Sequence, residues 1–157
     1  MTGDLPLREL TDFIVGAKAA TYVGDGSKSP SCRPGSHDLA FRKGDYWYLD
    51  SYFGGSDFIG QEVVYYQDAP VWAMNYYGRI LKPALISAAE VGQVIKESLS
   101  LMYGEGRFLG GFEHAVRGDT YSDTSTGDAA SFRGEEWIRR GKIRVYELRY
   151  HGGLIKG

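Results

Sequence analysis

Residues 44–82 can be laid on residues 118–156 without a gap, and this self-similarity constrains the fold more than any other feature of the chain. The identical pairs include Gly60/Gly134, Glu62/Glu136, Tyr76/Tyr150, Gly78/Gly152 and Lys82/Lys156. Others keep their character: Trp47/Tyr121, Val64/Ile138, Trp72/Tyr146, Met74/Leu148 and Ile80/Leu154. The alignment predicts a chain built from two copies of one module. Residues common to both copies then read as scaffold, and the unmatched ones are where a site is sought.

Apolar periodicity supplies the elements. Leu7, Leu10, Phe13, Ile14 and Ala17 recur at helical spacing behind a capping Asp4, which predicts a helix over 5–19. A second helix is predicted over 88–103, where Ser87 and Glu90 form a capping box and Gly104 can close the end. Elsewhere the period is two. Strands are predicted at 37–42, 46–53, 61–66 and 71–78, and again at 112–117, 120–124, 135–140 and 144–151, with Gly and Asp turns between them. The expected fold is α+β within a single domain, residues 1–157. It comprises two fused helix-plus-four-strand antiparallel modules, repeats 5–82 and 84–156, related by a pseudo-two-fold axis. Two helices then pack on an antiparallel sheet or a partly closed barrel.

Composition bounds the function. A chain of 157 residues can bury a core without covalent staples, and its formal net charge of −2 with interspersed signs argues against nucleic acid as an electrostatic partner. The single cysteine, Cys32, rules out an intrachain disulfide and a multi-thiolate metal site and fits a reducing, cytoplasmic setting. No apolar stretch is long enough for a membrane span. No HxH or HxxxH spacing, phosphate loop or nucleophile elbow is present, so neither a metal nor a cofactor is expected.

The unmatched stretches carry the candidate chemistry. The connection over 20–36 is long for a compact domain and ends in Cys32-Arg33-Pro34-Gly35-Ser36-His37-Asp38. Arg33 offers a fork for an anion, His37 can exchange protons, and Asp38 can orient a partner; equally, Arg33 and Asp38 can simply tie the loop down. On the strand at 46–53, Tyr46, Tyr48, Asp50 and Tyr52 share a face whose aligned counterpart carries Thr120, Ser122 and Thr124. That face is suited to a ring or an organic cation, to packing beneath the loop, or to a homodimer contact. Asn75 and Arg79 stand on the face of the strand at 71–78 where the two copies differ in kind. Glu62 recurs as Glu136 on a face with Val64 and Ile138, and reads either as a general acid or as a structural hydrogen-bonding group.

The stretch SCRPGSHDLAFRKGDYWYLDSYFGGSDFIGQEVVYY, with NYYGR and HGGLIK further on, resembles a bacterial domain family of unknown function. Its members are often found C-terminal to helix-turn-helix regulators of the xenobiotic-response-element type. The short segment before the first helix cannot hold such a DNA-binding unit, so the chain is expected to stand alone without direct nucleic-acid contact. The resemblance names no activity; the long loop and the tyrosine face lead to the expectation of a soluble ligand-binding or sensory module without catalysis, which the relatives' association with regulators favours. Its expected site combines Arg33, Ser36, His37, Asp38, Asp50, Tyr52, Asn75 and Arg79 around an unidentified small molecule. Two alternatives stay open. One is a small hydrolase or transferase with His37 as base, Asp38 or Asp50 as its orienter and Glu62 as acid. The other is a homodimerising domain that uses the Tyr46/Tyr48/Tyr52 face.

Overall fold

The structure is a computed structural model and describes residues 5–23 and 27–157. The chain runs α1 (Leu7–Lys18), a π-helical turn (Ala19–Val23), β1 (Ser27–Ser29), β2 (His37–Lys43), β3 (Tyr46–Gly54), β4 (Phe58–Tyr66) and β5 (Ala69–Ile80). It continues through α2 (Ala88–Gly104), β6 (Phe112–Val116), β7 (Asp119–Asp128), β8 (Ser131–Arg140) and β9 (Ile143–Leu154). All nine strands form one antiparallel sheet in the order β1-β2-β3-β4-β5-β9-β8-β7-β6.

This continuous sheet overturns the expected pair of helix-plus-four-strand modules. β5 and β9 pair in unbroken register from Trp72 opposite Leu154 to Ile80 opposite Tyr146, so hydrogen bonding does not stop at a boundary between halves. A short additional strand, β1, extends the sheet at its first edge, within the stretch read from sequence as an open connection. Within that connection Gly24 to Gly26 lie outside the described residues, as does the predicted cap Asp4.

The local chemistry explains where elements begin and end. Ser87 Oγ accepts from Glu90 N at 3.2 Å while Glu90 Oε2 accepts from Ser87 N at 2.8 Å, a complete capping box that starts α2. Gly106, with φ of 79°, takes the left-handed conformation just beyond the end, a role the sequence pattern assigned to Gly104. Pro6 stands at the N-cap of α1, with no side-chain cap hydrogen bond among the described residues. No helix among the described residues is long and apolar enough to cross a membrane.

One face of the sheet packs under the helices. Leu10, Ile14 and Met102 of the helices and Trp72, Tyr121 and Ile138 of the sheet are among the fully buried side chains. Phe13 stacks on Tyr46 at 4.8 Å, which pins α1 to β3, and Trp72, Phe108 and Phe132 form a second aromatic group. The opposite face carries a surface ladder: Trp47 stacks on Tyr65 at 4.1 Å, Gln61 donates to Asn75 at 2.9 Å, and Arg144 bonds Glu135 at 2.7 Å. This alternation is that of an antiparallel sheet with a single covered face.

Candidate functional site

The covered face is not purely apolar. Antiparallel register sets Asp50 opposite Glu62 and Asp123 opposite Glu136, and all four carboxylates are buried beneath the helices. Each buried acid must find donors, and tyrosines supply most of them. Tyr76 Oη donates to Asp50 at 2.6 Å, and Tyr150 Oη to Asp123 at 2.9 Å. Glu136 accepts from Tyr121 at 2.5 Å and from Tyr146 at 3.1 Å, while Glu62 accepts from Tyr48. Among the described residues Glu62 alone of the four has a direct cation: Lys18, only 3 % exposed at the end of α1, bonds both its oxygens at 2.8 and 3.0 Å.

Two glycines make this geometry fit. A methyl group at Gly60 would run into the ring of Tyr76, and one at Gly134 into the ring of Tyr150. Each tyrosine therefore lies across a bare stretch of the neighbouring strand, since Gly60 pairs with Tyr76 and Gly134 with Tyr150. That position lets the hydroxyls reach Asp50 and Asp123 one strand further on.

These groups surround a cavity of about 370 Å³ between the sheet, α1 and α2, a size suited to a small molecule. The sheet contributes the four carboxylates, Tyr52, Tyr76, Tyr146 and Tyr150; the helical segments contribute Lys18, Tyr22, Val91, Ile95, Leu99 and Tyr103. Burial raises the Asp50 carboxyl to about 7; the nearby Glu62 adds to the rise, and the Tyr76 hydrogen bond and Lys18 pull against it. Asp123 is likewise raised to about 7 by burial and Glu136, against hydrogen bonds from Tyr150 and Tyr121. Burial also raises Glu136. The phenols of Tyr22, Tyr48, Tyr76, Tyr103, Tyr121, Tyr146 and Tyr150 are pushed upward by burial and the adjoining carboxylates, so they remain protonated near neutral pH. Among the described residues, no group of three or more His, Cys, Asp and Glu side chains is arranged to hold a metal ion.

The residues singled out from sequence fall in three places. Asp50 and Tyr52 line the cavity. Arg33, Ser36 and Asp38 gather on the far side of the sheet: Asp38 accepts from Ser36 and Ser51 at 2.8 Å each and from Cys32 N at 2.9 Å. Arg33 donates to Ser51, not to Asp38, and lies over Phe53 at 4.7 Å. Burial alone would raise Asp38, but these hydrogen bonds outweigh it and bring the carboxyl down to about 2. Asn75 and Arg79 belong to the exposed surface ladder, where Arg79 pairs with Glu147 at 3.2 Å.

His37 and Asp38 separate because successive strand residues point to opposite faces. His37 is exposed and packs against Tyr52, ring centroids 5.1 Å apart, and it makes no hydrogen bond to a carboxylate among the described residues. The geometry required for His37 as a general base is therefore not met. Tyr46 and Tyr48 are buried in the chain's own core, so the expected homodimer face is not an outer surface. Glu62 is a hydrogen-bonding group, as one sequence reading had it, and its partners are Tyr48 and Lys18.

Sequence reasoning missed Lys18, Tyr103 and Asp123. The gap-free alignment set Thr124 opposite Asp50, whereas register puts Asp123 beside Glu136 as Asp50 is beside Glu62. A slip of one residue flips a strand's faces, so the acidic face of β7 went unseen. The signal was present in Tyr121 and Asp123, which repeat the spacing of Tyr48 and Asp50.

Among known proteins, residues 50–155 match the family described as Domain of unknown function (DUF5680). No curated protein matches, and no solved structure matches. The matched segment takes in Asp50, Glu62, Asp123 and Glu136 but neither Lys18 nor the loop at Arg33.

Proposed function

The chain belongs to this family, whose description names no activity, and on that premise we propose that the protein is a small-molecule receptor module with its site in the interior cavity. The observation that carries the reading is four buried carboxylates gathered around one cavity beneath the helices. A fold stabilised by packing alone has no need of such groups, because each buried acid costs desolvation that hydrogen bonds only partly return. Polar side chains of this kind in a cavity bounded by Val91, Ile95 and Leu99 match the usual composition of a binding site, apolar walls with a few directed polar groups. A role beside a transcriptional regulator, as the resemblance implies, fits a receptor that reports occupancy to a partner.

A thermal-shift panel of amines, amino acids, sugars, nucleotides and organic acids tests the reading. At least one class should raise the melting temperature of the wild type, and Ile95→Trp, which fills the cavity from α2, should abolish that rise while keeping the fold. Hits unaffected by Ile95→Trp would place the site elsewhere.

A further inference from the structure

The two carboxylate pairs are not equivalent, and the difference points to the class of ligand. On β4, Glu62 has its charge met by Lys18. On β7 and β8, Asp123 and Glu136 have only phenol hydroxyls as direct partners, with no salt bridge to either among the described residues. An independent feature lies opposite them. Tyr103 of α2 is 8 % exposed and lines the cavity, and its hydroxyl has no hydrogen-bond partner among the described residues. It lies near enough to Glu136 and Asp123 to feel their charge.

We propose that the cavity takes a small organic cation, its ammonium or guanidinium group seated between Asp123 and Glu136 and hydrogen-bonded to the Tyr103 hydroxyl. This inference rests on the reading of the cavity as a receptor site. The Tyr103 phenol accepts an N–H through its oxygen and offers its ring to a cation. Ile95 and Leu99 supply apolar wall for a hydrocarbon body. Within the other pair Lys18 is bonded to Glu62, so Asp123 and Glu136 form the pair with no direct cation among the described residues, and the site takes one cationic head. An anionic ligand would meet two carboxylates at the same place, and a neutral alcohol would gain hydrogen bonds without the charge term.

Calorimetry on the full chain at pH 8 tests this with matched probes: butylamine, agmatine and phenethylamine against 1-butanol, 2-phenylethanol and butyrate. The expected result is binding of one or more cations at least about tenfold tighter than the matched alcohol, with no butyrate binding. Asp123→Asn and Glu136→Gln should each weaken that binding about tenfold or more, and Tyr103→Phe should weaken it severalfold, with circular dichroism unchanged. Alcohols or butyrate binding as tightly as the amines, with Ile95→Trp abolishing it, would overturn the charge class and leave the receptor reading standing. Cation binding that survives both Ile95→Trp and Asp123→Asn would overturn both. Silence from every cation would overturn the inference, while a hit of another class in the thermal-shift panel would still support the cavity. Should the carboxylate variants fail to fold, the wild-type contrast between amine and alcohol decides alone.

Discussion

Lys18 is the residue on which the interior charge depends. It reaches Glu62 from the last turn of α1, passes over the Phe108 ring at 5.4 Å and approaches the Met74 sulfur at 3.8 Å. Its Coulombic pull extends to Asp50, Asp123 and Glu136 as well, so one ammonium moderates four acids. Removing it leaves Glu62 buried with Tyr48 as its remaining donor, and breaking a buried pair in this way costs about 3–5 kcal/mol. Lys18→Met should therefore lose stability of that order in urea unfolding, and Lys18→Met with Glu62→Gln should lose less than the two single changes summed. An additive double variant would mean that the pair is not coupled. Sequence could not single out Lys18, because a lysine near a helix end reads as a solvated charge until the partner strand is known.

At the scale of elements, legibility followed locality. The box at Ser87 and Glu90 is contained within four residues, and α2 begins where that pattern places it. The hairpin turns were equally readable: Gly44, Gly118 and Gly141 adopt positive φ, and Gln67 and Asp68 do so between β4 and β5. The Arg33 to Asp38 stretch also behaves as a local object, a loop tied down by Ser36, Ser51 and Cys32. What sequence could not provide was the meeting of distant elements. α2 covers carboxylates on β7 and β8, and α1 carries its lysine to β4; neither partnership leaves a periodic trace. Asp50 and Tyr52 were found because an aromatic, acidic strand face is unusual in itself. Asn75 and Arg79 shared a face with each other but not with the cavity, because period two states which residues go together and not which side is covered.

For the whole molecule, the interior acids set how stability responds to pH. Asp50 and Asp123, facing Glu62, Glu136 and Lys18 and hydrogen-bonded by Tyr76 and Tyr150, both sit near 7 when folded. An unfolded aspartate titrates near 4, so the folded state holds these protons more tightly. That contribution favours folding fully below about pH 4 and is lost as pH climbs from about 4 through 7. Asp38 works in the opposite sense: lowered to about 2, it contributes above pH 4, and that contribution fades as pH falls toward 2. The melting temperature should accordingly be higher at pH 5 than at pH 8, and Asp50→Asn with Asp123→Asn should flatten that slope. A melting temperature that rises from pH 5 to 8 would contradict the assignment. A cationic ligand should reverse part of the trend, since it favours the ionised acids.

The seam between β5 and β9 also bears on how the chain reaches this state. Every other pairing in the sheet joins strands that follow one another in sequence, so each can form as a hairpin within microseconds. The seam alone joins strands separated by α2 and three other strands, and closing it carries the largest entropy penalty in the sheet. Completion of the seam is therefore the step expected to limit the folding rate. Substitutions along it, such as Met74→Ala, should slow refolding in stopped-flow traces. Substitutions in the outlying β6–β7 hairpin, such as Val116→Ala, should instead mainly speed unfolding.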